Sequence, residues 1–258
     1  MATGLLVLCV GQATRLVEYL TGHDKRYTGV IRLGVTTTTG DAEGQAVTTR
    51  PVPDLTPRAV EDTLRKFTGP LMQVPPAHSA LKVDGRRAYA LARAGNAPEM
   101  APRPVAIHSL TGRLVAPDSI AIDVTCSAGT YIRSLARDIG EDLGCGAHLA
   151  ALRRESAGPF RVEQAVSLQA LERLAAAGDL EGILLSIDEG IRDMEAALVN
   201  DEAADIIANG GWWATECGVE RAAEVARIYS AKGDFVGVGS VSSSGEIRPM
   251  KVLRRRKS

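Results

Sequence analysis

The chain has 258 residues, 45% of them hydrophobic, with 30 Lys and Arg against 31 Asp and Glu and a net charge of -1. That length buries a sizeable core as one large domain or two ordinary ones. The charge balance excludes a globally basic nucleic-acid binder, so any basic footprint must be local. The start is unusual: Leu5, Leu6 and Val7-Leu8-Cys9-Val10 read as core, whereas a domain ordinarily begins with polar, loosely held residues. Tyr27 to Val35 reads as a strand, followed by a Thr-rich turn and Gly40-Asp41-Ala42-Glu43-Gly44. Thr56-Pro57 opens a helix whose apolar face is Val60, Leu64 and Phe67 and which stops at Gly69. Ser79 to Pro104 carries Lys82, Arg86, Arg87, Arg93 and Arg103 among Gly95, Pro98, Pro102 and Pro104. It reads as a basic, partly irregular insertion.

Farther on, Ile120, Ile122, Val124 and Cys126 alternate with Ala121, Asp123 and Thr125, a half-buried strand. Ala128-Gly129 turns it into a helix with Ile132, Leu135, Ala136, Ile139 and Leu143 on one face, ending near Gly144. Ser167 caps another helix that ends at Gly178. Beyond about residue 188 the texture changes to a short helix, Asp201 to Asn209, and strands at Ala226–Tyr229, Phe235–Val241 and Ile247–Leu253 joined by tight Lys-Gly-Asp and Ser-Gly-Glu turns. The expected boundary therefore divides residues 1–188 from a small β-rich module, 189–258.

Several chemistries find no support. Cys9, Cys126, Cys145 and Cys217 show no CxxC spacing, which favours a reducing compartment, with Cys126 and Cys217 read as ordinary buried cysteines. His23, His78, His108 and His148 form no HExxH or HxH pair, so no zinc site is expected. No apolar run approaches the ~18 residues of a membrane helix. Met1 is not followed by the features of a secretory signal, so the default reading is cytoplasmic. There is no phosphate loop, GxGxxG or nucleophile elbow.

Arg133 is the strongest clue among the residues. It falls in the first turn of a helix, where the dipole disfavours a cation by up to about 1 kcal/mol, and Arg137 adds a like charge on the same face. A cation set against its local field points to an anionic partner, a carboxylate or a phosphate; a structural ion pair satisfies it as well. Tyr27 reads equally as a half-buried core aromatic, Asp41 as a turn residue and Leu152 as plain core.

The motifs go further in combination. Ala2-Thr3-Gly4-Leu5-Leu6 and Gly11-Gln12-Ala13-Thr14-Arg15-Leu16, Lys25-Arg26-Tyr27, Gly40-Asp41-Ala42-Glu43-Gly44, Ser79-Ala80-Leu81-Lys82 with Gly85 and Tyr89, Gly129-Thr130-Tyr131-Ile132-Arg133, and Gly146-Ala147-His148 with Leu152-Arg153-Arg154 occur in that order. Together they resemble the TruB family of bacterial tRNA pseudouridine-55 synthases. The resemblance implies an α+β fold with a mixed, largely antiparallel sheet flanked by helices, followed by a PUA-like RNA-binding domain. It implies isomerisation of a T-loop uridine to pseudouridine without metal or cofactor. The base is flipped out, detached from C1′, turned and rejoined through C5.

Residue by residue, the resemblance makes Arg133 the partner of the catalytic Asp and Tyr27 the aromatic that packs on the base and the candidate general base. Asp41 becomes an acid at the rim, Tyr131 a uridine contact and Leu152 a lining of the base pocket. Lys82, Arg86 and Arg87 on the insertion, with Arg153 and Arg154, would meet the phosphates of the tRNA T-arm. The nucleophilic Asp itself belongs to a G-x-L-D-P motif whose Asp falls ahead of Met1, so these 258 residues do not contain it. No membrane or protein partner is implied, and a monomer is expected. A non-catalytic tRNA-binding or tRNA-folding protein is the alternative. The terminal Arg254-Arg255-Arg256-Lys257 reads as a phosphate contact or as a free tail.

Overall fold

The computed structural model describes residues 2–214 and 223–253; Cys217 and the terminal basic run lie outside them. The chain divides into two compact units. One comprises residues 1–7 and 22–165, the other 8–21 and 166–258.

The first unit is built on a seven-stranded sheet. In spatial order its strands are Thr3–Gly4, Ala147–Ala157, Lys25–Leu33, Ser119–Cys126, Arg103–Ala116 and Gly69–Gln73, with Phe160–Arg161 folded back on Ala147–Ala157. Every pairing is antiparallel except that of Thr3–Gly4 with Arg153–Arg154. The expected alternation of Ser119–Cys126 holds: Ile120, Ile122, Val124 and Cys126 all face inward and are buried. They pack against helix Ile132–Asp142, whose Ile132, Leu135, Ala136 and Ile139 lie on one buried stripe, and against Val60 and Leu64 of helix Pro57–Lys66. That second helix starts where the capping signal placed it, with the Thr56 hydroxyl accepting from the Ala59 amide at 3.2 Å. A continuous apolar core of this kind is the main favourable term in folding.

The opening segment departs from its reading as core. Leu5 is buried, but Leu6, Leu8 and Val10 are 70%, 67% and 67% exposed. Thr3–Gly4 lies along one strand at the sheet edge, so only alternate side chains can turn inward. Gly4 is required there: its φ is +88°, and a Cβ would sit 2.3 Å from the Arg154 carbonyl oxygen.

The basic insertion is more regular than its Gly and Pro content suggests. Lys82–Val83 and Arg86–Arg87 form a two-residue hairpin, followed by helix Ala88–Arg93. Asp84 and Gly85 both have positive φ, 48° and 78°, the backbone of a type I′ turn.

In the second unit Glu195–Val199, Ala223–Ser230, Phe235–Val241, Glu246–Val252 and Trp213–Ala214 form a five-stranded sheet in that spatial order. Helix Asp201–Ala208 buries Ala203, Ala204 and Ile207 against it. The compact units part at 165/166, and residues 8–21 go with the second unit. The physical reason is Leu16, wholly buried with Ile191 and Val238 and flanked by Tyr19 and Leu20. A short helical turn with that much apolar surface needs a core, and finds it there.

Candidate active site

Three stretches far apart in sequence converge on one cleft of about 280 Å³, lined by Ala2, Asp41, Ala42, Arg133, Leu149, Ala150, Ala151 and Leu152. The first wall is strand Ala147–Ala157. Its pairing with Lys25–Leu33 slips by one residue between Leu149 and Ala151, which leaves Ala150 as a bulge at the cleft. Bulges bend a strand and re-aim its side chains, and they recur beside active sites. The second wall is the loop 38–45. Leu149 donates to the Gly40 carbonyl at 3.0 Å and accepts from the Ala42 amide at 3.1 Å, which pins Asp41 against the bulged strand.

The third wall is the first turn of helix Ile132–Asp142. Arg133 solves its electrostatic problem there with three acceptors. Nη1 donates to the Thr39 carbonyl at 2.9 Å and to Asp41 Oδ2 at 3.2 Å, and Nη2 donates to the His78 carbonyl at 2.7 Å. The pair is partly sheltered, each side chain 24% exposed, so it is worth more than a fully solvated one. Asp41 also accepts from the Thr39 hydroxyl at 2.5 Å and from the Glu43 amide at 3.2 Å. Burial pushes its carboxyl up, but those two hydrogen bonds and Arg133 outweigh it and hold the group below its ordinary value. Within this site the ion-pair reading of Arg133 is thus realised, with Asp41 as the partner.

Of the other residues singled out, Leu152 lines the cleft, while Tyr27 and Tyr131 are not among its lining residues. Tyr27 is only 9% exposed, packed in the core, with the Arg154 guanidinium 5.6 Å from its ring centroid. Tyr131 precedes the helix, and its backbone is gripped by Gln73. Lys82, Arg86 and Arg87 stand exposed on the hairpin, and Arg87 Nη1 donates to the Ala80 carbonyl at 2.7 Å. Arg153 is exposed beside Glu155 at 3.3 Å. Arg154 donates to the Leu5 carbonyl at 3.2 Å and covers Tyr27. Its alternation partner on the strand, Arg153, takes the solvent side, as the two-residue period of a strand requires. Thr39, His78 and Gln73 carry roles that sequence reasoning does not assign. His78 acts through its carbonyl and Gln73 on the Tyr131 backbone, which leave no pattern in sequence, while Thr39 uses both its carbonyl and its hydroxyl.

The cleft thus holds a guanidinium–carboxylate pair, tied through the His78 carbonyl to the segment that leads into the basic hairpin. The fold has solved counterparts. The chain superposes on the solved "Crystal Structure of a Cbf5-Nop10-Gar1 Complex" with a TM-score of 0.70 at 20% identity, covering 95% of this chain and 71% of that one. It superposes on "Structure of H/ACA RNP bound to a substrate RNA containing 2'-deoxyuridine" with a TM-score of 0.69 at 20% identity, covering 96% and 71%. At that identity the likeness is one of fold alone.

The family follows from sequence. Residues 1–132 match the model "TruB family pseudouridylate synthase (N terminal domain)", and residues 133–199 match "tRNA pseudouridylate synthase B C-terminal domain". The chain is 42% identical over 262 residues to tRNA pseudouridine synthase B of Stutzerimonas stutzeri, across 98% of this chain and 83% of that protein. It is 44% identical over 253 residues to the Aromatoleum aromaticum protein of the same name, across 98% and 80%. The chain belongs to the TruB family of tRNA pseudouridine synthases.

Proposed function

We propose that the cleft of Asp41, Arg133 and Leu152 is the site where a T-loop uridine of tRNA is isomerised to pseudouridine, and that these 258 residues supply all of it except the nucleophilic carboxylate. The observation that carries this reading is the lining of the cleft: motif residues from three separate stretches meet there together with Ala2. A carboxylate three residues ahead of Ala2 in the family motif would enter beside Arg133.

The chemistry assigns each group a task. The C1′–N1 bond breaks and a C1′–C5 bond forms; a proton leaves C5 and one ends on N1, so no redox partner is needed. The Asp makes or stabilises the covalent intermediate. Arg133 holds that carboxylate ionised and aimed, as it holds Asp41. Leu152 lines the slot for the flipped base. Flipping costs a few kcal/mol, and stacking on Tyr27 returns roughly 1–3 kcal/mol once the Arg154 guanidinium moves off the ring. From there Tyr27 takes or relays the proton. The 1–188 segment is the catalytic part by this reading, and 189–258 the PUA-like part. Both act in the cytoplasm, where tRNA is modified.

Docking of the T-arm falls to Lys82, Arg86 and Arg87 on the hairpin and to Arg153. Replacing the three hairpin cations with Gln weakens binding of a T-arm hairpin RNA. It also flattens the plot of log affinity against log salt by about 0.7–0.9 for each phosphate no longer neutralised. Fluorescence anisotropy from low to moderate salt checks this; an unchanged slope and affinity would remove the hairpin from the RNA interface.

A further inference from the structure

The helix that carries Arg133 begins without a side-chain cap of its own: Tyr131, its N-cap residue, makes no capping hydrogen bond. The first N–H groups of a helix have no partner inside it and must be met from outside. What meets the helix start here is Gln73, the last residue of edge strand Gly69–Gln73 and only 4% exposed. Its Oε1 accepts from the Tyr131 amide at 2.8 Å, and its Nε2 donates to the Tyr131 carbonyl at 3.1 Å. One carboxamide thus fixes both backbone groups of the residue that sets the helix's entry direction, two positions ahead of Arg133.

The segment that follows Gln73 continues the grip. The Val74 carbonyl accepts from the Ser134 hydroxyl at 2.8 Å and from Arg137 Nη2 at 3.2 Å. The His78 carbonyl accepts from Arg133 itself at 2.7 Å. The strap 73–78 therefore holds the helix start from Tyr131 to Arg137, then runs directly into the basic hairpin. A guanidinium needs its fork aligned to serve separate acceptors, and a small rotation of the helix start would misalign it.

We infer that Gln73 is a positioning residue for Arg133, acting through the Tyr131 backbone; its catalytic meaning rests on the reading of the cleft given above. The test measures Arg133 directly. Side-chain NMR of arginine-labelled protein follows guanidinium proton exchange in the parent chain and in Gln73→Met, which keeps the volume and loses both hydrogen bonds. Gln73→Glu keeps the acceptor for the Tyr131 amide and loses the donor. Arg154, bound to the Leu5 carbonyl in the same unit, is the internal reference.

Exchange at Arg133 is expected to accelerate about tenfold in Gln73→Met and by less in Gln73→Glu, with Arg154 unchanged. Should the Met variant not fold, the Glu variant alone decides by the same comparison. Arg133 exchange within about twofold of the parent, or equal acceleration at Arg154, would overturn the proposal. Because no turnover enters this readout, a failure of the pseudouridine reading and a failure of the positioning reading are told apart.

Discussion

Replacing Arg133 with alanine removes pseudouridine formation from a catalytically complete form of this protein, with kcat down at least about 10²–10³-fold and KM nearly unchanged. Such a form is the chain preceded by the first strands of a tRNA pseudouridine synthase B through its G-x-L-D-P motif. The cause is electrostatic. Arg133 is the cation that holds Asp41, and its Nη atoms are fixed by the Thr39 and His78 carbonyls. Those fixed donors present positive charge where the nucleophilic carboxylate would enter, with no reorganisation at the moment of reaction. Leu152 and the hairpin cations remain, so under the proposed function RNA binding is expected to persist and the loss to appear in turnover. Arg133→Lys recovers little, because one ammonium cannot serve acceptors on both sides as a planar fork does. Stability falls by about 1–3 kcal/mol, as expected for losing a charged hydrogen-bond donor from a partly sheltered carboxylate. Single-turnover kinetics on a T-arm RNA measures the first effect. A kcat within about threefold of the parent would remove Arg133 from the chemistry.

The second large effect is structural. At Gly140 the helix that carries Arg133 lies directly on the start of strand Ala147–Ala157. A Cβ at Gly140 would stand 2.4 Å from both Cβ and the amide nitrogen of Ala147, and 2.5 Å from the Gly146 carbonyl carbon. None of these is the far end of a flexible side chain. The Gly140 carbonyl also accepts from the Gly146 amide at 2.8 Å, so the loop between helix and strand cannot retreat without losing that bond. Gly140→Ala therefore lifts the helix off the sheet and costs about 3 kcal/mol, read as a lower urea midpoint. A midpoint shift equivalent to less than about 0.5 kcal/mol would show that the helix and strand separate easily.

How much of the fold is legible from the residues depends on what carries each feature. Strand Ser119–Cys126 and the helix Ile132–Asp142 follow from apolar period, and the helix at Pro57 from its Thr-Pro start; all three stand where expected. Strand Ala147–Ala157 is hidden because its Ala-rich sequence and two register shifts break the alternation that marks a strand. Strand Arg103–Ala116 opens on Arg103-Pro104, which reads as loop; Pro104 is tolerated there because pairing with Ser119–Cys126 begins only at Ile107, which leaves Pro104 a ladder neighbour on one side alone. The Asp84-Gly85 pair is a visible hairpin signal masked by the charges around it.

The site divides the same way. The family motifs single out Asp41, Arg133 and Leu152, and the fold gathers them in one cleft. Tyr27 and Tyr131 stand out by the same motifs, but the fold sets the first under Arg154 and the second behind Gln73. His78 serves through its carbonyl, which every residue possesses, so nothing in the letters marks it; Thr39 adds its hydroxyl on Asp41 but is one of several threonines in that turn.

The most direct test is a pseudouridine assay by tritium release from T-arm RNA labelled at C5 of the target uridine. It compares the 258-residue chain with the same chain preceded by the segment through G-x-L-D-P. If Arg133 and its cleft await only the upstream carboxylate, both forms bind RNA, the first yields no product, and the second turns over. Turnover by the 258 residues alone, or binding without turnover by the extended form, would contradict that assignment.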